Sequence, residues 1–279
     1  MIPGVFNALT ARMAERLGFP AVYLSGGALS AGWAGVPDVG LLTVTEFAEQ
    51  AAVLARATPL PLLCDADTGF GEAIHVERTV RLYEGAGAAG LHIEDQVMPK
   101  RCGHLSGKSL VATDAMAAKV RAAVASRRDP DFVVVARTDA RSVEGFDAAV
   151  ARARAYLDAG ADMIFPEALE SAEEFARFAR AVPAPLLANM TEFGRSPLLD
   201  VAELAGLGYR AVLYPLTAFR AAMRAAEETL RDLRESGTQR GALGRMQPRA
   251  ALYDLIGYQD WEARDRAYFA PAGDGPPAD

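Results

Sequence analysis

Eight short apolar runs punctuate the chain, at residues 2–6, 21–24, 60–64, 90–93, 132–136, 163–165, 185–188 and 211–213. Each is followed by a polar or small group. In order these are Asn7, Ser25, Asp65 with Asp67, Glu94 with Asp95, Arg137 with Asp139, Glu167, Asn189 with Thr191, and Tyr214. The intervening stretches carry apolar residues at helical spacing: 8–17, 44–57, 74–85, 113–126, 146–159, 172–181, 201–207 and 218–235. Thr43 and Thr113 read as N-caps. Gly18, Gly87, Gly160 and Gly208 each stand between a helical stretch and an apolar run, where a left-handed residue ends a helix cheaply. Strand alternating with helix eight times predicts an α/β fold with a parallel sheet. Candidate chemistry at all eight strand ends predicts a (β/α)8 TIM barrel with its site on the C-terminal rim. An open doubly wound sheet is the alternative, but no G-x-G-x-x-G follows a strand.

The length of 279 residues suits one such barrel. Residues 249–256 and 259–268 predict two further helices, within a C-terminal helical extension at 240–269. The Gly- and Pro-rich stretch 270–279 is expected to be disordered. Residues 1–279 are thus read as one barrel domain with an appended extension and tail. The uncharged stretch 17–37 is long enough to raise a membrane span, but its four glycines from Gly26 to Gly35 and Pro20 and Pro37 would break one. No basic segment precedes an apolar one, so no signal peptide is expected. A net charge of -7 argues against nucleic-acid binding, which needs a basic face. Two cysteines make no disulfide framework and suit a reducing cytoplasm.

The rim residues then suggest chemistry. Asp65 and Asp67, at i and i+2 past a strand, would share a face in extended geometry. With Glu94 and Asp95 on the next strand they form an oxygen-only cluster that suits Mg²⁺ or Mn²⁺. The three histidines, His75, His92 and His104, show no zinc spacing, and His75 and His92 read as unpartnered. Ser25-Gly26-Gly27 offers backbone N–H groups to an anion. Cys102 lies among Lys100, Arg101 and His104, a setting expected to lower a thiol pKa. Gly103 and Gly107 suggest a mobile segment able to close over a substrate. Cys64, in an apolar run, reads as a buried, inert thiol. Arg137, Arg220 and Arg249 are candidate cations for substrate carboxylates, with Arg137 best placed at a strand end.

These motifs together resemble the isocitrate lyase / phosphoenolpyruvate mutase superfamily, and within it the lyases that cleave 2-methylisocitrate. The likeness runs through Tyr23-Leu24-Ser25-Gly26-Gly27, Asp65-Ala66-Asp67-Thr68-Gly69-Phe70-Gly71 and His92-Ile93-Glu94-Asp95-Gln96. It continues through Lys100-Arg101-Cys102-Gly103-His104, Ala136-Arg137-Thr138-Asp139-Ala140, Phe165-Pro166-Glu167-Ala168, 189–194 and 213–220. The cysteine motif resembles that of the carbon–carbon lyases in this superfamily. The resemblance implies Mg²⁺, or Mn²⁺, held by Asp65, Asp67 and Glu94. It implies a substrate di- or tricarboxylate bound by Ser25, Gly26, Gly27, Gly103, Arg137, Glu167, Asn189, Met190, Thr191, Arg220 and Arg249. It places Cys102 over the reacting carbon as general acid, with Lys100 and His104 as catalytic neighbours and Tyr23 as the candidate base. Phe165 and Leu213 would form a methyl pocket where isocitrate lyases carry tryptophan and threonine. The implied reaction is cleavage of 2-methylisocitrate to pyruvate and succinate, in the methylcitrate cycle of propionate breakdown. The implied assembly is a cytoplasmic homotetramer that exchanges C-terminal helices. Relatives usually begin with a further helix and strand start ahead of Ile2, so the foot of this barrel is expected to lack a plug.

Overall fold

The computed structural model describes residues 1–269; the expected tail at 270–279 lies outside the described residues. Eight strands form: β1 Ile2–Val5, β2 Val22–Leu24, β3 Leu62–Asp65, β4 Gly90–Glu94, β5 Val133–Thr138, β6 Met163–Pro166, β7 Leu187–Asn189 and β8 Ala211–Tyr214. Every one falls on a predicted run. All pair in parallel, in the order β6-β5-β4-β3-β2-β1-β8-β7. The ends of that order meet in a single parallel bridge, Ile164 to Leu186, which brings β6 and β7 together and makes the sheet a barrel.

The helices are α1 Ala8–Arg16, α2 Gly26–Leu29, α3 Val44–Ala57, α4 Ala73–Ala86, α5 Thr113–Ser126, α6 Phe146–Asp158, α7 Ala172–Ala181, α8 Val201–Gly206 and α9 Thr217–Ser236. The local chemistry explains most of their ends. Thr43 caps α3 in a capping box with Glu46. Gly18, Gly87, Gly160 and Gly208 all take positive φ, between 77° and 102°, and turn the chain back towards the next strand. Two expectations fail. Thr113 is the first residue of α5 rather than its cap; Ala112 holds the cap position and offers no side-chain acceptor. Asn7, read as a rim group, is the cap of α1, where its side chain accepts from the Thr10 N–H at 2.9 Å. The sequence also gave no sign of α2 or of the π-helical turn Ser30–Ala34 behind it.

Alternation along each strand sorts the side chains. Val22, Leu24, Leu62, Cys64, Leu91, Ile93, Val134, Ala136, Ile164, Ala188 and Val212 point outwards into the core beneath the helices. Tyr23, Val135, Phe165, Leu187, Ala211 and Leu213 form a second cluster in the barrel interior. The same alternation turns Asp65, His92, Glu94 and Arg137 inwards. Register then makes them neighbours: Asp65 pairs with His92 and Glu94 with Arg137. At the other end of the barrel an apolar cavity of about 160 Å³ opens among Ile2, Leu63, Val133 and Met163.

Behind the rim, a buried network fixes the β4 and β5 ends. Asp95 accepts from Thr138 Oγ1 at 2.7 Å, Tyr156 Oη at 2.8 Å and the Asp139 N–H at 2.9 Å. Arg152 lies 3.5 Å from the same carboxylate and forks onto Glu144 at 2.7 and 2.8 Å. Asp95, a rim candidate on sequence, is therefore a structural anchor. Arg152→Met would leave a buried carboxylate short of its cation, a change that costs about 3 kcal/mol or more. Urea unfolding of the variant checks this; an unchanged midpoint would contradict it.

The chain divides into two compact units, residues Met1–Ala221 and Ala222–Asp279. The second holds most of α9, a 3-10 turn at Arg240–Arg245, α10 Arg249–Leu255 and α11 Tyr258–Tyr268. The last two match the expected helices, and Tyr253 stacks on Tyr258 with ring centroids 4.6 Å apart. Among the described residues no helix is long and apolar enough to cross a membrane.

Candidate active site

At the C-terminal rim a cavity of about 70 Å³ is bounded by Tyr23, Ser25, Gly27, Asp38, Asp65, Glu94, Arg137, Phe165, Glu167, Asn189, Thr191 and Leu213. Residues Lys100 to Gly103 and His104, from the loop after β4, complete its wall. Most of the predicted site is thus brought together.

Arg137 sits at its centre. Its guanidinium meets Asp139 at 2.9 Å and both Glu94 and Glu167 at 3.2 Å, and lies 5.0 Å above the Phe165 ring. Glu167 also faces His104 Nε2 at 2.8 Å and accepts from Asn189 Nδ2 at 3.2 Å. His104 Nδ1 accepts the Arg195 N–H at 2.9 Å, which puts the imidazole proton on Nε2, towards Glu167. Burial alone would raise the Glu167 carboxyl; Arg137 first, then His104, outweighs it and holds the carboxylate ionised.

The acidic side is held differently from the expectation. Asp65 accepts from the Gly26 N–H and the Asp67 N–H, each at 3.0 Å, and from Tyr23 Oη at 3.2 Å. Gly26 is therefore bound to Asp65 and does not line the cavity, unlike Ser25 and Gly27. The chain leaves extended geometry at Asp67, where φ is 45°. Asp67 turns to Lys100 Nζ at 2.8 Å, and the same ammonium donates to Asp38. Burial first, and then the nearby Asp65, push the Asp67 carboxyl up, against the pull of Lys100. Glu94 is also pushed up by burial, and its Oε1 has no hydrogen-bond partner.

Six carboxylates, Asp38, Asp65, Asp67, Glu94, Asp139 and Glu167, stand around three cations, Lys100, Lys108 and Arg137. An oxygen-only, net-negative set fits a hard divalent cation. Among the described residues no three such side chains converge directly on one point. One or two carboxylates with water completing the shell, the usual arrangement for Mg²⁺, is the arrangement that fits.

Cys102 is exposed at the cavity mouth. Its thiol pKa is raised, not lowered as the basic neighbourhood suggests. Desolvation is the main cause, and Lys100 spends its charge on Asp38 and Asp67. The Tyr23 hydroxyl, which donates to Asp65, is likewise pushed well above its ordinary range, by burial and then by Asp65. The same hydroxyl lies 2.8 Å from Nε2 of His92. His92, read as unpartnered, is fully buried between Tyr23 and Phe165, and burial drops its pKa to about 4.

Besides Gly26 and Asp67, three predicted residues of the first unit do not line the cavity: Met190, Arg220 and Tyr214. Met190 packs in the core beneath the helices. Arg220 is half-exposed, 3.5 Å from Glu192 and 5.5 Å above the Phe193 ring. Arg249 opens α10 in the second unit. Tyr214 lies outside the cavity, in an apolar groove with Val5, Met13 and Phe19. Two residues that sequence reading missed are Asp38 and Lys108. Asp38 follows an uncharged stretch with no periodicity, and its only signal was being the first charge after it.

A family model described as phosphoenolpyruvate phosphomutase matches residues 1–234. The chain belongs to the phosphoenolpyruvate phosphomutase family. A 2-methylisocitrate lyase of Aeropyrum pernix is 55% identical over 94% of this chain and 84% of its own. Among solved structures, an oxaloacetate acetylhydrolase bound to 3,3-difluorooxalacetate superposes with a TM-score of 0.91 at 39% identity, covering 97% of this chain and 93% of that one. A phosphonopyruvate hydrolase complex with oxalate and Mg²⁺ gives 0.87 at 33%, covering 96% and 94%. The family members therefore share the barrel while differing in reaction.

Proposed function

We propose that this chain is a Mg²⁺-dependent carbon–carbon lyase that cleaves 2-methylisocitrate into pyruvate and succinate. The observation that carries the reading is Cys102, a protonated thiol at the mouth of a carboxylate-lined cavity, in a chain 55% identical to a 2-methylisocitrate lyase. A small anionic substrate suits the Arg137 guanidinium, Ser25, the Gly27 backbone, Asn189 and Thr191, which offer donors to its carboxylates.

The reaction is a retro-aldol cleavage. Asp65 and Glu94, with Asp67 and Asp38 behind them, would hold Mg²⁺, which would supply Lewis acidity to the pyruvate half of the substrate. Glu94, whose buried Oε1 has no hydrogen-bond partner, accepts the hydroxyl proton. Tyr23 donates towards the same region and orients it. The carbon–carbon bond breaks as the ketone forms, and the second half leaves as a carbanion delocalised into its carboxylate. Arg137 and Asn189 stabilise that charge. Cys102 delivers the proton that makes succinate. Phe165 and Leu213 give the substrate methyl an apolar wall.

The assembly we propose is a cytoplasmic homotetramer with exchanged C-terminal helices. Helix α9 supports this, since none of its 20 residues is buried in the single chain although Leu230 and Leu233 are among them. A single assay tests the function: the chain with Mg²⁺ and 2-methylisocitrate, isocitrate or oxaloacetate, with pyruvate, glyoxylate and succinate measured. Pyruvate and succinate from 2-methylisocitrate, at a kcat/KM at least about tenfold above that for isocitrate, is the expected result. Turnover of oxaloacetate alone would overturn it.

A further inference from the structure

Lys108 is a buried cation that the reaction does not use. Its side chain is 1% exposed and does not line the cavity. It stands where the cysteine loop returns to the barrel, five residues beyond Gly103. Its ammonium donates to the Gly103 carbonyl and to Asp139 Oδ1, the latter at 2.7 Å. Asp139 is fixed in turn by its own N–H on Asp95 and by two bonds from Arg137, at 2.9 and 3.2 Å. Gly103 lies flat on the substrate-facing side of that assembly. A Cβ there would come within 2.3 Å of Glu167 Cγ and 2.5 Å of Arg137 Nη2.

A buried ammonium needs an opposite charge and acceptors for its remaining protons. Here the charge comes from the barrel and a second acceptor from the loop. Both are in reach only while Gly103 is seated. Lifting the loop costs Lys108 one partner or draws it away from Asp139. Lys100, paired with Asp38 and Asp67, and His104, paired with Glu167, also tie the loop to the rim, but through their side chains; Lys108 holds the loop by the Gly103 carbonyl. We propose that Lys108 is a positioning residue that latches the cysteine loop shut, holding Cys102 over the cavity through the Gly103 carbonyl and Asp139. This rests on the reading of Cys102 as the acid.

The test is Lys108→Met in the full chain, with iodoacetamide alkylation of Cys102 followed by mass spectrometry. Loss of a charged hydrogen bond at the latch should speed alkylation about tenfold. Pyruvate plus succinate, expected to protect Cys102 in the parent, should protect it little in the variant. The kcat for 2-methylisocitrate should fall about tenfold while KM moves less than about threefold, because the groups that bind substrate are intact. Lys108→Arg, which keeps charge and donors, should restore most of the protection. A purely structural lysine would lower the melting temperature without changing Cys102 reactivity in the folded protein. Should Lys108→Met fail to fold, Lys108→Gln takes its place with the same readouts. An alkylation rate equal to the parent's in the folded variant overturns the proposal. Absence of turnover in the parent would sink the lyase reading but leave the alkylation comparison decisive for the latch.

Discussion

Replacing Cys102 by serine is expected to lower kcat by at least about 100-fold, since loss of a general acid is worth about 10²–10⁴ in rate. The cause is acidity and not shape. A thiol is acidic near neutrality, with an ordinary pKa of about 8.5, whereas a hydroxyl is a far weaker acid. Desolvation raises the Cys102 pKa, so the thiol holds its proton until the departing carbanion calls for it. The serine keeps the size and a donor but cannot deliver that proton readily. KM should change little, because Arg137, Ser25 and the metal site are untouched. Cys64→Ser is the matched control. That thiol points outwards from β3 into the core and is fully buried. A hydroxyl there lacks a partner and should cost about 1–3 kcal/mol of stability while leaving kcat unchanged. Near-normal kcat in Cys102→Ser would remove Cys102 from the acid role.

Exhaustive chelation is expected to abolish cleavage, by about a thousandfold or more, and Mg²⁺ or Mn²⁺ to restore it. The argument is electrostatic. The carboxylates around the cavity outnumber their buried cations, and Asp67 and Glu94 are both pushed above the ordinary carboxylate range, largely by burial. A substrate that is itself a multiple anion cannot enter such a site without a compensating cation. Two further measurements follow. Added Mg²⁺ should raise the melting temperature of the resting protein, since it binds only the folded arrangement. Asp65→Asn should lose that rise, and product binding by calorimetry should weaken in parallel. Full activity after chelation, or a melting temperature indifferent to Mg²⁺, would contradict the assignment.

The barrel was legible because a strand buried on both faces and a helix buried on one leave different periods in the sequence. All eight strands lie on apolar runs read from the chain, and the glycines at 18, 87, 160 and 208 mark the turns between helix and strand. The rim groups were legible at strand ends for the same reason: alternation fixes which of them face inwards. Legibility stopped where the backbone stopped being regular. Asp67 leaves the extended region and turns to Lys100, a partner that strand alternation does not predict. Asn7 and Asp95 looked like rim chemistry but serve a helix end and a buried anchor. Local charge count also misled at Cys102, because the basic residues beside it in sequence are paired elsewhere in space. Lys108 gave no signal, since a lysine in a loop reads as solvated until its partners are known.

The barrel's seam carries a consequence of its own. β6 and β7 are joined by one bridge, whereas β4 and β5 pair over five positions. Glu167 stands just past one edge of the seam and Asn189 ends the other, with hydrogen bonds of 3.2 and 3.5 Å from the amide across the gap. A molecule gripped by both residues therefore acts as a suture. Occupancy of the cavity and mechanical closure of the cylinder become one equilibrium, with amide exchange along 186–189 slowing as the cavity fills.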